Sequence, residues 1–346
     1  MPSDDRHSRP VRYRRFGSTA LTTSVVGFGC ARIGGVFQGG SRKDIIGLLR
    51  RANERGITFF DTADMYTQGD SERLVGEAFS RNRHEVVIAT KVGYQLPRQK
   101  QFVSRIKPFV KPVVARLGLG PRQIRAGLRG TASHQDFSPA YIVRAVEASL
   151  RRLNTDYIDL YQLHDPSVEV LERGEFVDVL ESLKQQGKIR CWGVAGQNPE
   201  EALTALRYAS LDSVQVGLSV LEQAALDAAI PRAAERGVAV VARQVFASGL
   251  LTRPLDRLHL EEIDYEPAVA QRKRDQLAVY ASIVEDCGRG RAEMALQFSL
   301  ARPDVSVVLL GISRPEQLDA ALSTLDSPAL SDAEHQLLTG CRRSGR

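Results

Sequence analysis

Short apolar runs recur along the chain at 25–29, 57–60, 86–90, 157–163, 189–194, 212–217, 238–242 and 305–310. Each has the length of a buried strand. Stretches with helical spacing lie between them at 72–80, 139–152, 175–186, 199–209, 226–236 and 290–301, and a last one near 314–323 follows the eighth run. Strands that alternate with helices pack as a parallel sheet, and eight of them close into a barrel. The pattern therefore predicts an α/β fold, a (β/α)8 TIM barrel. Ahead of it, Val11 to Gly29 reads as a hairpin that turns at Gly17-Ser18 and leads into the first barrel strand. The first helix is expected from Ser41, a good N-cap, to Arg55, with Gly56 ending it.

Two excursions interrupt the alternation, and both follow the carboxyl ends of strands. The insertion at 94–136 holds no Asp or Glu before Asp136 and is rich in Arg and Lys. Phe102, Ile106, Phe109, Val113 and Leu117 place apolar residues on one helical face. Pro108 and Pro112 divide it into two short helices. Residues 98–132 suit a lid folded over the barrel mouth or contact with an anionic membrane. The lid is favoured, because the segment starts beside the strand that carries Lys91. The second excursion runs from Arg253 to about Gln271, before a helix at 272–287. The expectation is a single barrel domain over 11–340, insertion included, with 1–10 and 341–346 as flexible termini.

Composition narrows the class without deciding it. With 43% hydrophobic residues among 346, there is ample material for one large core. A formal net charge of +6 suits anionic ligands, and nothing beyond the basic insertion points to nucleic acid, so none is expected. Cys30, Cys191, Cys287 and Cys341 are far apart, without metal-site spacing, which implies reduced thiols and a cytoplasmic setting. Met1 to Arg15 lacks the apolar stretch of a secretory signal. No metal site is expected, and no Gly-x-Gly-x-x-Gly fingerprint of a doubly wound dinucleotide fold is present.

The chemistry-bearing residues cluster at strand ends. Phe59-Phe60-Asp61 closes the second run and Tyr66 follows five residues later. Thr90-Lys91 ends the third and Leu163-His164 the fourth. Barrel enzymes keep their chemistry at that end. Together with Glu72-x-x-Val75-Gly76, these motifs resemble the aldo-keto reductase family, and the likeness runs from about Val11 to Leu322. The resemblance implies reduction of a small aldehyde or ketone with NADPH. Tyr66 would be the general acid, Lys91 the cation that lowers its pKa, Asp61 the partner of Lys91, and His164 the donor that orients the carbonyl. Physical chemistry agrees: free tyrosine has a pKa near 10, and a nearby ammonium favours phenolate. Asp64, inside the same motif, is read as loop structure.

The family likeness also implies a cofactor site, with departures. Where the family has Gly-x-Ser-Asn after the fifth strand, this chain has Gly193-Val194-Ala195-Gly196, so two carboxamide contacts are missing. Gln197 and Asn198 are candidate replacements, and Gln215 matches the family's glutamine on the sixth strand. Arg243 stands where many members place a tyrosine that stacks on nicotinamide, and a guanidinium plane can also stack. Gln244, Phe246, Ser248, Gly249 and Leu250 match the pyrophosphate loop. Gly311, Ser313, Arg314 and Gln317 fall at the adenine end, where Ser313 to Glu316 also reads as a capping box. The alternative is a nicotinamide-binding regulatory or partner protein with slow residual reductase activity. The physiological substrate and the oligomeric state stay open.

Overall fold

In the computed structural model, which describes residues 11–34, 41–95, 134–258 and 266–343, eight parallel strands close into a barrel. They are β3 (Val26–Gly29), β4 (Phe59–Asp61), β5 (Val87–Val92), β6 (Ile158–His164), β7 (Ile189–Ala195), β8 (Ser213–Gly217), β9 (Ala239–Arg243) and β10 (Val307–Gly311). Each pairs with its neighbour in chain order, and β10 returns to β3. All eight expected strands are present within a residue or two of their sequence limits. This is the (β/α)8 TIM barrel that the alternation predicts.

The hairpin is there too: β1 (Tyr13–Arg15) pairs antiparallel with β2 (Thr22–Ser24). Gly17 turns it at φ 58°, where a side chain would lie 2.5 Å from the carbonyl oxygen of Gly237, so only glycine lets the turn dock. The turn carries Phe16 under the barrel, fully buried and stacked on Phe59 at 5.8 Å.

Successive strand residues face opposite sides. Phe59, Val87, Ala89, Leu160, Cys191, Ala239, Val241, Val307 and Leu309 meet Phe16 inside the barrel in one apolar cluster. The intervening residues, such as Phe60, Ile88, Tyr161 and Val240, pack outward against the helices. The family-like Glu72-x-x-Val75-Gly76 has a packing reason. A side chain on Gly76 would fall 2.3 Å from the carbonyl oxygen of Leu153, so glycine lets helix 70–79 press against helix 139–153.

Helix limits show where local signals mislead. The first helix runs Arg42–Glu54 behind a reciprocal cap between Ser41 and Asp44, with Gly56 beyond it at φ 96°. The segment at 226–236 splits into a 3₁₀ turn, Ala224–Leu226, and a helix, Ala229–Glu235. The helix expected at 272 already starts at Pro267. Two helices were not expected, Val168–Arg173 and Asp332–Gly340; both have a serine N-cap that the long-period reading passes over. Cys341–Arg343 makes a 3₁₀ turn with Cys341 buried.

The stems of the insertion meet at the carboxyl end of the barrel, where Tyr94 and Gln135 form an antiparallel bridge. Residues 98–132, expected to form the lid or membrane segment, lie outside the described residues. Among the described residues no helix is long and apolar enough to cross a membrane, and the four cysteines are free.

Candidate active site

Along the inward face the barrel changes from apolar to polar in steps of two residues. Phe59 is followed by Asp61, Ala89 by Lys91, Leu160 by Gln162 and His164, Ser213 by Gln215, and Val241 by Arg243. The floor is oil and the mouth is a ring of polar groups.

At the centre of that ring lies the Lys91 ammonium, 1% exposed. It donates to Asp61 Oδ2 at 2.7 Å, to the Thr62 carbonyl at 2.8 Å and to Tyr66 Oη at 3.3 Å. All three protons of the ammonium are therefore used. Burial opposes its charge, but Asp61 and Tyr66 prevail and hold the Lys91 pKa above its ordinary value. Asp61 takes a further hydrogen bond on Oδ1 from Gln215 Nε2 at 3.0 Å. Gln215 thus serves the Asp61 carboxylate, whereas its match to the family points it at the cofactor.

The Tyr66 hydroxyl behaves differently from the expectation. Burial raises its pKa, and Asp61 adds to this, outweighing the lowering by Lys91. In this structure Lys91 moderates the rise and does not reverse it, because removing a phenolate from water costs more than one paired cation returns. His164 lies edge-on to Tyr66, with ring centres 5.8 Å apart. Burial, then the charges of Lys91 and Arg243, push its pKa down to about 2. His164 is therefore a neutral imidazole at any physiological pH. Its Nδ1 is buried and has no hydrogen-bond partner among the described residues, and the same holds for Gln162 Nε2.

Strain is concentrated around the same mouth. Of the seven non-glycine residues with positive φ among the described residues, Asn154 ends a helix. The other six, Thr67, Gln68, Asp165, Gln244, Ala247 and Ser248, all sit on loops after barrel strands. Non-glycine residues held in this region cluster at functional sites. Gln244, Ala247, Ser248 and Gly249 curl the loop after β9 tightly on itself.

The other residues expected at the cofactor site lie as follows. Arg243 donates from Nη2 to the Gly196 carbonyl at 2.8 Å, tying the end of β9 to the loop after β7. Asn198 is used locally, capping the next helix with Glu201, while Gln197 reaches Asp165 at 3.2 Å. After β10, Gln317 Oε1 accepts from the backbone N–H groups of Ser313 and Arg314 at 2.9 and 3.2 Å. Gln317 is thus the capping partner, in place of Glu316, because the helix begins at Pro315, one residue later than that pairing assumed. Arg314 is exposed, and its guanidinium has no partner among the described residues.

Asp64 is more than loop structure. It is 5% exposed, its Oδ1 has no partner among the described residues, and it lies beside Glu72, Arg152, Tyr161 and Tyr141. Glu72 takes the hydrogen bonds of that group, from Thr90 Oγ1 at 2.7 Å and from Arg152 Nε. Burial, then Glu72, push the Asp64 pKa up to about 8. Its unfolded value is about 4. Between those values the folded chain holds a proton that the unfolded chain has lost, so this group makes stability fall as pH rises, and the loss levels off above about pH 8. An Asp64→Asn variant lacks that slope. Urea midpoints at pH 5 and pH 8 should show the variant gaining on the parent protein, by at most about 1.4 kcal/mol per pH unit. A pH-independent difference between the two would rule out a protonated Asp64.

The closed eight-stranded barrel thus gathers Lys91, Asp61, Tyr66 and His164 at its carboxyl end. Comparison with known proteins carries this to the family: the Aldo/keto reductase family model matches residues 25–343, and the chain belongs to that family. The chain is 30% identical over 337 residues to the uncharacterized oxidoreductase YqkF of Bacillus subtilis, covering 95% of each. It is 30% identical over 340 residues to an NADH-specific methylglyoxal reductase of Escherichia coli, covering 93% of this chain and 95% of that protein. Among solved structures, the holo form of aldo-keto reductase AKR11C1 from Bacillus halodurans superposes with a TM-score of 0.75 at 30% identity, covering 96% of both chains. Aldo-keto reductases use nicotinamide cofactors.

Proposed function

We propose that this protein is an NADPH-dependent reductase of small aldehydes or ketones, with Tyr66 as the general acid. One observation supports this above all: the Lys91 ammonium touches both Asp61 and the Tyr66 hydroxyl in a buried site. Buried Tyr66 keeps its proton at neutral pH. It can pass that proton to the carbonyl oxygen as negative charge develops there. The Lys91 charge, fixed by Asp61, Thr62 and Gln215, then stabilises the phenolate left behind. Neutral His164 can hold the carbonyl oxygen by one N–H without bringing a second charge.

The residues present fit a nicotinamide cofactor. Among the described residues, Gln162 Nε2 and His164 Nδ1 are buried without partners and the Arg314 guanidinium at a helix start has none, while the loop after β9 is curled. When bound, such a cofactor supplies the hydride. Ser248, Gly249 and Leu250 would hold its pyrophosphate, and Ser313 and Arg314 its 2′-phosphate. Gln244 and Phe246 support the first loop, and Gly311 leads into the second. Arg243 would face the nicotinamide.

The test is consumption of reduced cofactor across a panel of aldehydes, ketones and keto-sugars, run with NADPH and with NADH. Turnover comparable with that of working reductases separates an enzyme from a slow cofactor-binding regulator. Arg314→Ala is expected to weaken NADPH binding by about tenfold or more, the value of one charge-assisted hydrogen bond, and to leave NADH binding almost unchanged. Trp192 is a poor reporter, since it is buried on the helix side with its N–H on Glu181. The emission of the reduced cofactor itself should be followed. Equal affinities in the parent protein, or an unchanged preference in the variant, would remove Arg314 from the phosphate site.

A further inference from the structure

One carboxylate at the mouth has no place in the proton chemistry above. Asp165 follows His164 directly and is held at φ 50°, a left-handed conformation that aspartate tolerates better than most residues. Three segments brace it. Its N–H donates to the Ala195 carbonyl at 2.8 Å, and Gln135 Nε2 donates to the carbonyls of Asp165 at 2.9 Å and His164 at 3.2 Å. Tyr94 Oη and Gln197 Nε2 both donate to Oδ2, at 3.1 and 3.2 Å. Tyr94 also lies edge-on to His164 with ring centres 5.1 Å apart.

That much bracing fixes the direction of the carboxylate. Oδ2 lies 4.0 Å from His164 Nε2, too far for a good hydrogen bond and close enough to share a small substrate. The side chain is 18% exposed, so a ligand can reach it. Both donors converge on Oδ2, while Oδ1 accepts no hydrogen bond among the described residues. An ionised carboxylate can only accept. A plain aliphatic aldehyde has no hydroxyl to donate, whereas an aldehyde with a hydroxyl on the carbon next to the carbonyl does.

We propose that Asp165, aimed by Tyr94 and Gln197, is a specificity determinant that accepts a hydrogen bond from a substrate hydroxyl beside the carbonyl held at His164. The substrates are then hydroxylated aldehydes or ketones, of the small-sugar and hydroxyaldehyde class. This rests on the carbonyl-reductase reading. It adds a recognising group to that reading and leaves the proton transfer unchanged.

The experiment compares kcat/KM for lactaldehyde, 3-hydroxypropanal and propanal, three aldehydes of one chain length, at saturating reduced cofactor. Concentrations are corrected for hydration of the aldehydes. The parent protein is expected to prefer lactaldehyde to propanal by about 10- to 100-fold, the value of a hydrogen bond to a charged group, with most of the difference in KM. 3-Hydroxypropanal should fall below lactaldehyde. Asp165→Asn keeps the shape and the left-handed backbone but gives up the charge, and should cut the lactaldehyde-to-propanal ratio at least fivefold. A brace without a recognition role would slow both substrates alike and leave the ratio intact, which overturns the inference. Should the variant fail to fold, the parent protein still decides: equal efficiency on lactaldehyde and propanal overturns this inference alone. Turnover of no aldehyde with either cofactor overturns the reductase reading and this inference with it.

Discussion

Replacing Tyr66 with phenylalanine is expected to lower kcat for carbonyl reduction by about 10²- to 10⁴-fold, the usual value of general acid catalysis. The hydroxyl is bonded to Lys91 at 3.3 Å and to no other described residue, so its loss removes a proton donor and one acceptor of the Lys91 ammonium. The ring stays, and with it the edge-on packing against His164 and the face presented to Lys91, whose Nζ is 4.9 Å from the ring centre. Cofactor affinity should therefore stay within about threefold, because the lost interaction belongs to the transition state. The measurements are single-turnover oxidation of bound NADPH and an equilibrium titration of the same variant. Retention of more than about a tenth of the parent rate, with chemistry limiting, would take the acid role from Tyr66.

The second large effect is on folding. Lys91→Met leaves Asp61, 3% exposed, without its cation. Breaking one side of a buried ion pair costs about 3–5 kcal/mol, because the remaining charge is stranded. Gln215 still donates to Asp61, so the loss should sit at the lower end of that range. The double variant Asp61→Asn with Lys91→Met has no stranded charge and should be more stable than Lys91→Met alone at pH 8. Urea denaturation of the three proteins at pH 5 and pH 8 tests this. If the double variant is no better than the single one, the Asp61–Lys91 contact is not the coupled pair drawn here.

What could be read in advance divides by the distance over which the signal acts. The barrel strands are short apolar runs of fixed length, and each announces itself within a few residues. Asp61, Lys91 and His164 were legible for the same reason: each closes its run, and the closed barrel then brings all the run ends to one face. The helix at 332–340 was missed although Ser331 and Glu334 form its cap, because its apolar stripe is thin, with Leu338 its one fully buried residue.

By itself, then, the sequence determined the barrel, its polar end and the residue types available there. Only the tertiary structure decided which of them touch. Gln215 lies 154 residues from Asp61 yet donates to it, and Tyr94 reaches Asp165 across 71 residues. Neither contact leaves a trace in local periodicity, because hydrogen bonds depend on direction and on distances of a few tenths of an ångström. The protonation of Asp64 and His164 was hidden for a related reason. A side chain's titration follows its burial and its charged neighbours, and both exist only once the barrel has closed.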